Sequence, residues 1–246
     1  MEDIRRNFRG IRAVYGEEGF EALQAAEVMI VGIGGVGSWL AEALCRSAVG
    51  SLVLIDSDRI ELTNVNRQSH TTSKTGGLLK TEVLGERLKE INPALKLRTL
   101  ALRLSSENID EVMADAPLYV GEAIDDVEAK AHLCSYLYKH HHEFIVSGGA
   151  GGRADPRRLA LGDLSQAKGD ALIARLRYLL RRDYDFPKGG EFMNIPCTYS
   201  SEKPVYSPKD SYVSGDLPAF GACMTVTASA GLLMASWLMR RIVARD

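Results

Sequence analysis

The stretch that decides the fold is EVMIVGIGGVGSWLAEALCRSAVGSLVLIDSD, residues 27–58. Its apolar run 28–31 predicts a buried strand and leads directly into the glycine-rich turn 32–38. A segment of helical composition follows, and a second apolar run, 52–55, ends at Asp56. The result is a strand–helix–strand unit with the pattern G-x-G-x-x-G at its first turn. We therefore expect a nucleotide-binding unit of the Rossmann type.

The glycine-rich turn has the features of a phosphate-binding site. Glycines let the backbone approach a phosphate closely, and the N-terminus of the following helix presents free N–H groups. Asp56 lies at the end of the second strand, where a carboxylate can accept hydrogen bonds from ribose hydroxyl groups. These features fit an NAD-dependent oxidoreductase as well as an ATP-dependent enzyme, so residues further along the chain have to discriminate between them.

Charged residues beyond the second strand favour a triphosphate. Asn64, Arg67 and Lys80 follow in order, and Lys80 lies within the segment 75–91, whose apolar stripe predicts a helix. Arginine offers a planar fork to phosphate oxygens, and lysine supplies a point charge that can follow the α-phosphate into the transition state. Asp125 follows a further apolar strand, at the strand end where open α/β sheets bind ligands, and its carboxylate suits Mg²⁺.

The composition is typical of a soluble globular protein, with 246 residues, 46% apolar residues and a net charge of −2. Because helical and strand patterns alternate, we expect a single α/β domain over residues 1–246 with a doubly wound, mainly parallel sheet. The net charge argues against a wholly basic nucleic-acid binder. The four cysteines form no C-x-x-C pair and the N-terminus has no secretory apolar segment. We therefore expect no zinc and a cytoplasmic location.

Residues 219–239 contain no charged side chain over 21 positions, and Arg240 and Arg241 follow. That length is sufficient to cross a bilayer, which would make the protein membrane-associated. The segment is nevertheless rich in Gly, Ala, Ser and Thr, so its mean hydropathy is modest. A helix buried in the domain or at a dimer interface explains it better.

Residues 183–218 show neither helical nor strand periodicity and contain five prolines, so we expect a long, mobile loop that includes Cys197. Upstream, residues 148–152 form a second glycine-rich run, for which a tight turn and an anion-binding nest are equally good interpretations. The arginine-rich segment 175–182 is the densest basic region after the N-terminus. It is therefore the first place to look for a polyanionic partner.

Five motifs occur in order along the first 150 residues: Gly32-x-Gly34-Gly35-x-Gly37-Ser38, Asp56-x-Asp58, Thr63-Asn64-x-Asn66-Arg67-Gln68, Lys80 and Ile124-Asp125. Together they resemble the motifs of ATP-dependent adenylating enzymes related to ubiquitin activators, including the bacterial molybdopterin- and thiamine-synthesis members. Within that family, the run 148–152, the stretch CTYSSE at 197–202 and the apolar C-terminal segment are similar to one branch, the tRNA threonylcarbamoyladenosine dehydratases. That resemblance extends over essentially the whole chain.

The resemblance implies a ligase-class enzyme that uses ATP to adenylate the free carboxylate of N6-threonylcarbamoyladenosine in tRNA. A nitrogen or oxygen of the modified base then attacks the activated carbonyl group and expels AMP, which closes a ring with net loss of water. The alternative is adenylation of the C-terminus of a ubiquitin-like sulfur-carrier protein, with Cys197 as a nucleophile. Because the tRNA reaction is intramolecular and needs no thiol, Cys197 receives no catalytic role here.

The resemblance also implies roles for individual residues. Arg67, Lys80 and Asp125 are the expected catalytic residues, with Asp125 at the Mg²⁺ position. The expected ATP-binding set adds two acids, an amide, the glycines of the first turn and an arginine that reaches a dimer partner's ATP: Asp56, Asp58, Asn64, Gly32, Gly34, Gly35, Gly37 and Arg9, for which Arg6 and Arg12 are alternatives. The expected partners are tRNA and a second copy of the chain. A monovalent cation at a glycine-rich turn and a sulfur-relay protein of a cysteine desulfurase system remain open.

Overall fold

The structure, a computed structural model, describes residues 4–205 and 221–244. Seven strands in this part of the chain form one sheet: β1 (Glu27–Val31), β2 (Ser51–Ile55), β3 (Lys96–Leu100), β4 (Tyr119–Glu122), β5 (Glu143–Ser147), β6 (Leu159–Asp163) and β7 (Pro196–Ser200). Their order is β3-β2-β1-β4-β5-β7-β6. Every neighbouring pair is parallel except β6 and β7. The predicted mainly parallel α/β sheet is confirmed.

Eight α-helices accompany the sheet within the described ranges: α1 (Ile4–Asn7), α2 (Arg9–Ala25), α3 (Gly37–Arg46), α4 (Lys80–Ile91), α5 (Ile109–Met113), α6 (Val127–Lys139), α7 (Ala171–Asp183) and α8 (Met224–Val243). Buried side chains of α3, α4 and α8 form the core on one face of the sheet. Those of α5, α6 and α7 form the core on the other face. The fold is therefore doubly wound, as expected.

Strand β1 shows why the opening apolar run specifies a central strand. Successive side chains of a strand point to opposite faces. Accordingly, Val28 and Ile30 pack in the core with α3 and α8, whereas Met29 and Val31 pack in the core with α6 and α7. A strand that is buried on both faces needs apolar residues at every position rather than at alternate ones. The unbroken run VMIV meets this requirement.

Helix α4 begins at Lys80, later than the helix predicted over 75–91. The residues before it form turns and an isolated bridge between Arg59 and Leu79. The Ile60 N–H donates to the Leu78 carbonyl at 2.8 Å and the Gly77 N–H donates to the Ile60 carbonyl at 2.8 Å, which holds these residues outside the helix. The Lys80 N–H in turn donates to the Asp58 carbonyl at 3.0 Å. The first residue of α4 is thereby fixed next to the acidic end of β2.

The apolar C-terminal segment forms helix α8, which packs across α3. Gly231 marks the closest approach, since a Cβ there would lie 2.6 Å from the Val36 carbonyl oxygen and 2.9 Å from the Leu40 nitrogen. Met234 and Leu238 are buried on the same side of the helix. Within the described residues, no helix has both the length and the apolar character that crossing a bilayer requires.

The prediction of a loop throughout 183–218 is wrong, because β7 lies inside that range and forms hydrogen bonds with strands on both sides. Its sequence PCTYS begins with proline and carries polar residues, so it lacks the apolar alternation that predicts a strand. Pro196 is tolerated as the first residue of the strand. Cys197 consequently lies in the sheet rather than in a loop. The predicted mobility of residues 206–218 concerns residues outside the described ranges.

The α3–α8 contact generates a stability prediction. Gly231→Ala is expected to lower the free energy of unfolding by about 1–3 kcal/mol. The added methyl group meets backbone atoms of α3 and of the residue before it, which can move only if the helix shifts. Chemical denaturation monitored by circular dichroism measures the change.

The matched control is Gly10→Ala, another glycine-to-alanine change in a helix, where no atom lies within 4 Å of the added Cβ. Alanine favours helix by about 1 kcal/mol over glycine, so this variant should be unchanged or more stable. Equal effects of the two substitutions would contradict the close helix crossing.

Candidate functional site

The chain turns sharply after β1, and the glycines of this turn leave space next to the start of α3. Gly32 has a φ of +81°, which favours glycine. A Cβ at Gly37 would lie 1.9 Å from the Gly32 carbonyl oxygen, so the turn closes only without a side chain there. No side chain caps α3; the Ser38 N–H donates to the Gly34 carbonyl at 3.1 Å, which leaves the N–H groups of Gly37 and Trp39 available to an anion. The turn 32–38 is hereafter called the phosphate turn.

The Asp56 carboxylate joins the end of β2 to the phosphate turn. Its Oδ2 accepts a hydrogen bond from the Ile33 N–H at 2.9 Å, and its Oδ1 accepts one from the Asp58 N–H at 2.9 Å. Each carboxylate oxygen can accept a further hydrogen bond. A ribose hydroxyl placed here would therefore meet a carboxylate that is already oriented by the backbone.

Lys80 directs its ammonium group toward the two acids of the Asp56-x-Asp58 motif. Lys80 Nζ donates to Asp58 Oδ2 at 2.6 Å and lies 3.9 Å from Asp56 Oδ1. The Lys80 side chain is only 7% exposed, whereas that of Asp58 is 64% exposed. The lysine is therefore fixed, and its acidic partner is free to be exchanged for another anion.

Asn64 and Arg67 lie in the connection after β2. Asn64 is buried, and its Oδ1 accepts a hydrogen bond from the Glu61 N–H at 3.3 Å. Arg67 Nη1 donates to the Thr63 carbonyl at 3.1 Å, and Arg67 Cγ lies 3.4 Å from the position of a Cβ on Gly35. Arg67 thus borders the phosphate turn, while the Asn64 amide oxygen stabilises the turn that carries it.

Asp125 lies at the same edge of the sheet because β4 is the neighbour of β1. The Ala123 N–H donates to the Val31 carbonyl at 2.8 Å, and the Ala123 carbonyl oxygen lies 2.9 Å from the position of a Cβ on Gly32. The segment leading to Asp125 therefore packs against the phosphate turn. Asp125 itself is exposed, so its carboxylate is accessible to a bound molecule.

Asp125 is the exposed carboxylate that the end of β4 offers to a divalent cation, whereas Asp58 at the end of β2 is paired with Lys80. Across residues 4–205 and 221–244, no group of three or more His, Cys, Asp and Glu side chains is arranged to hold a metal ion. Mg²⁺ usually takes one or two carboxylates and completes its coordination with phosphate oxygens and water. Asp125 beside a phosphate turn fits that requirement.

The structure does not bring Arg9 into contact with the site. Arg9 is exposed on α2, at the N-terminal end of the chain. Arg5 and Arg12 both pair with Glu17, at 2.6 and 2.5 Å. Among the described residues, no ion pair involves Arg6 or Arg9. Of the alternatives, these two are the arginines free to contact another molecule.

Several polar residues after Arg67 were not among the predicted site residues, although they directly continue its motif. Gln68, His70 and Thr71 are buried, and Gln68 Oε1, Thr71 Oγ1 and both His70 ring nitrogens have no hydrogen-bond partner in the described part of the chain. Gln68 Nε2 lies 3.9 Å from the position of a Cβ on Gly34. Burial, and secondly the charge of Lys80, lower the pKa of His70 to about 4. Their position directly after Arg67 in the chain is the signal that could have identified them.

The second glycine-rich run, 148–152, is bound by the chain itself. The Gly149 N–H donates to both oxygens of Asp170, at 3.0 and 3.3 Å, and Arg153 Nη1 donates to Asp170 Oδ2 at 3.1 Å. Asp170 also caps α7 by accepting from the Ile173 N–H at 3.1 Å. A carboxylate of the protein therefore occupies the amide that an external anion would use, which favours the tight-turn interpretation.

Cys197 lacks the environment of a nucleophile. Its side chain is fully buried in β7, and burial, followed by the charges of Asp170 and Asp163, raises the pKa of the thiol to about 12. A thiol with so high a pKa is neutral at pH 7 and unreactive. Cys45 and Cys134 are also buried, whereas Cys223 is partly exposed before α8.

Comparison with known proteins is consistent with this site. The model of the ThiF family matches residues 5–246. The chain belongs to the ThiF family.

Two bacterial relatives align with nearly all of this ThiF-family chain. The tRNA threonylcarbamoyladenosine dehydratase of Escherichia coli is 35% identical over 98% of the chain and 95% of the relative. The enzyme of the same name from Haemophilus influenzae is 35% identical over 100% of the chain and 96% of the relative. A crystal structure of the E. coli enzyme in complex with ATP superimposes with a TM-score of 0.92, covering 99% of this chain and 96% of that one.

The position of Lys80 generates a binding prediction for this ThiF-family site. Lys80→Ala is expected to weaken ATP binding by about 10- to 100-fold, because a hydrogen bond to a charged group contributes about 1.5–3 kcal/mol. Isothermal titration calorimetry measures the affinity. The fold should persist, since Asp58 is exposed and solvent can hydrate it once the lysine is removed.

Lys74→Ala is the control, because Lys74 is an exposed lysine in the same connection between β2 and α4. Its ATP affinity should match that of the wild type. If Lys80→Ala binds ATP with unchanged affinity, Lys80 does not contact the nucleotide.

His70 generates a pH prediction. Its pKa is about 4 in the folded protein and 6.5 in the unfolded chain, so between these values the unfolded chain binds more protons. Stability should therefore be complete above pH 6.5 and fall as the pH decreases toward 4, by about 3 kcal/mol in total. In His70→Gln, the loss of unfolding free energy between pH 7.5 and pH 5 should be about 2 kcal/mol smaller than in the wild type. Urea denaturation measures the unfolding free energy of both proteins across this pH range. If it depends on pH identically in the wild type and in His70→Gln, burial does not lower the pKa of His70.

Proposed function

We propose that this chain catalyses the ATP-dependent dehydration of N6-threonylcarbamoyladenosine in tRNA to a cyclic product. The observation that carries the proposal is the 35% identity with the E. coli tRNA threonylcarbamoyladenosine dehydratase over 98% of the chain and 95% of the relative. The geometry of the site supports it, because a phosphate turn, a fixed lysine and an exposed carboxylate lie at one edge of the sheet.

In this proposal the ATP phosphates bind over the phosphate turn and the ribose binds at Asp56. Lys80 exchanges Asp58 for an oxygen of the α-phosphate, which gains charge when the phosphorus is attacked. Arg67 offers its guanidinium fork to the outgoing pyrophosphate. Asp125 would hold Mg²⁺, which neutralises phosphate charge when bound.

The chemistry follows from the weakness of a carboxylate as an electrophile. One carboxylate oxygen of the threonylcarbamoyl group attacks the α-phosphorus, and pyrophosphate leaves with the electron pair of the α–β bond. A nitrogen or oxygen of the same modified base then attacks the carbonyl carbon, the bond to AMP breaks, and a proton is released. The oxygen that is formally lost as water therefore leaves with AMP. Lys80 and the N–H groups of the phosphate turn stabilise the charge at the α-phosphate in both steps.

We further propose a homodimer, in which Arg9 or Arg6 reaches the nucleotide of the partner subunit. The support for this step is that these two arginines are exposed and, within the described ranges, have no ion-pair partner. A cytoplasmic location is proposed with it, where the tRNA substrate occurs. Within residues 4–205 and 221–244, no contact supports a monovalent cation or a sulfur-relay protein of a cysteine desulfurase system. Neither is part of the proposal.

The alternative function, activation of a ubiquitin-like sulfur-carrier protein, is disfavoured at Cys197. A thioester or persulfide at that position would require the sulfur to leave the buried sheet. Cys223 is the one cysteine with an accessible thiol, and hydrogen bonds from Thr225 lower its pKa. A complete test of the alternative therefore has to replace both cysteines.

The experiment is mass spectrometry of nucleosides from tRNA that has been incubated with the protein, ATP and Mg²⁺. Threonylcarbamoyladenosine is expected to lose the mass of one water. Cys197→Ser and Cys223→Ser should retain this activity, because no step uses a thiol. If either variant is folded but inactive, the thiol-free mechanism is wrong.

Two ATP analogues test which phosphate bond is broken. The analogue with a methylene group between the β- and γ-phosphates should support dehydration, since adenylation leaves that bond intact. The analogue with a methylene group between the α- and β-phosphates should not. The opposite pattern would indicate phosphorylation of the carboxylate instead of adenylation.

A further inference from the structure

A fully buried ion pair lies immediately behind the segment that carries Asp125. Glu122 is the last residue of β4 and Lys130 lies in the second turn of α6, and both side chains are 0% exposed. Burying two charges is unfavourable unless their geometry is good and their remaining hydrogen-bonding capacity is used. This pair is therefore expected to do more than fill the core.

The pair binds both backbone polar groups of one residue. Glu122 Oε2 accepts a hydrogen bond from Lys130 Nζ, and Glu122 Oε1 accepts one from the Ile124 N–H at 2.8 Å. Lys130 Nζ also donates to the Ile124 carbonyl at 2.9 Å. The two charges thus close a ring of hydrogen bonds around Ile124, which directly precedes Asp125.

The residues on both sides of Asp125 are fixed as well. Ile124 Cγ2 lies 3.0 Å from the position of a Cβ on Gly32, so the bound residue packs on the phosphate turn. Asp126 caps α6 by accepting from the Glu128 N–H and the Ala129 N–H, each at 3.2 Å. Between these two anchors Asp125 remains exposed, with its backbone held on both sides.

We propose that Glu122 and Lys130 are positioning residues, which hold Ile124 so that the Asp125 carboxylate faces the phosphate turn at the distance that Mg²⁺–ATP requires. The inference rests on the proposed function, in which Asp125 holds the metal. It assigns a task to two residues that do not touch the nucleotide. Their contribution should therefore appear in the effect of Mg²⁺ on ATP binding rather than in the binding of ATP without metal.

The test compares ATP affinity in Mg²⁺ and in EDTA, measured by isothermal titration calorimetry without tRNA. The variant is Glu122→Leu with Lys130→Met, because replacing a buried ion pair by apolar residues of similar size often leaves the fold stable. We expect near-normal affinity in EDTA and a gain from Mg²⁺ that is reduced by about tenfold or more, the usual effect of removing groups that orient a metal ligand.

The matched control is Glu42→Gln with Arg87→Met. Glu42 also has a buried side chain, and Arg87 Nε donates to it at 2.7 Å, but the pair joins α3 to α4 away from Asp125. This control should keep the full effect of Mg²⁺. A second variant, Glu122→Asp, keeps both charges but withdraws the carboxylate from the Ile124 N–H, and it should also lose much of the gain even if the double variant does not fold.

Two outcomes would overturn the inference. An unchanged effect of Mg²⁺ in a folded Glu122→Asp or double variant would make the pair a purely structural element. An equal ATP affinity of the wild type in Mg²⁺ and EDTA would remove the metal role of Asp125 and this inference with it. Neither outcome would affect the proposed dehydration, which the nucleoside assay tests separately.

Discussion

The site depends on one hydrogen-bonded carboxylate, that of Asp56. Because β1 and β2 are adjacent and parallel, the carboxyl end of one strand lies beside the turn that follows the other, and Asp56 spans the gap to the Ile33 N–H at 2.9 Å. Its second oxygen orients Asp58, which in turn binds Lys80 at 2.6 Å. The phosphate turn, the acids and the lysine are therefore one connected unit, and the glycines of the turn matter because a side chain would prevent it from closing.

A similar arrangement recurs at the end of β4, on the other side of β1. At the end of β2 the largely buried Asp56 binds backbone N–H groups, and the exposed Asp58 follows it; at the end of β4 the buried Glu122 binds the Ile124 N–H, and the exposed Asp125 follows it. In each case one acid fixes the backbone and the next is presented to solvent. An acid on a rigid backbone can hold a cation, such as the ammonium group of Lys80, in one place relative to the phosphates. Stabilisation of phosphate charge requires such a fixed geometry.

The parts of the fold that were predicted correctly are those whose residues satisfy local and global requirements together. The run at 28–31 is apolar at every position because β1 is buried on both faces, and the glycines that follow are dictated by the turn. Prediction from the sequence was wrong where tertiary contacts override the local residue pattern. The strand PCTYS is stabilised by its neighbours rather than by its own composition. Helix α4 begins late because hydrogen bonds to Ile60 hold the preceding residues in turns. Burial of a charged or polar residue cannot be read from its identity. For this reason the sequence did not predict the roles of Glu122, His70 and Lys130.

The central claim is that this site makes a carboxylate reactive by joining its oxygen to the α-phosphate of ATP. The most direct measurement uses tRNA whose threonylcarbamoyl carboxylate is labelled with ¹⁸O. After a single turnover, mass spectrometry of the released AMP should show one ¹⁸O atom in its phosphate group, and pyrophosphate should carry none. Recovery of the label in water or in inorganic phosphate, with unlabelled AMP, would contradict the account.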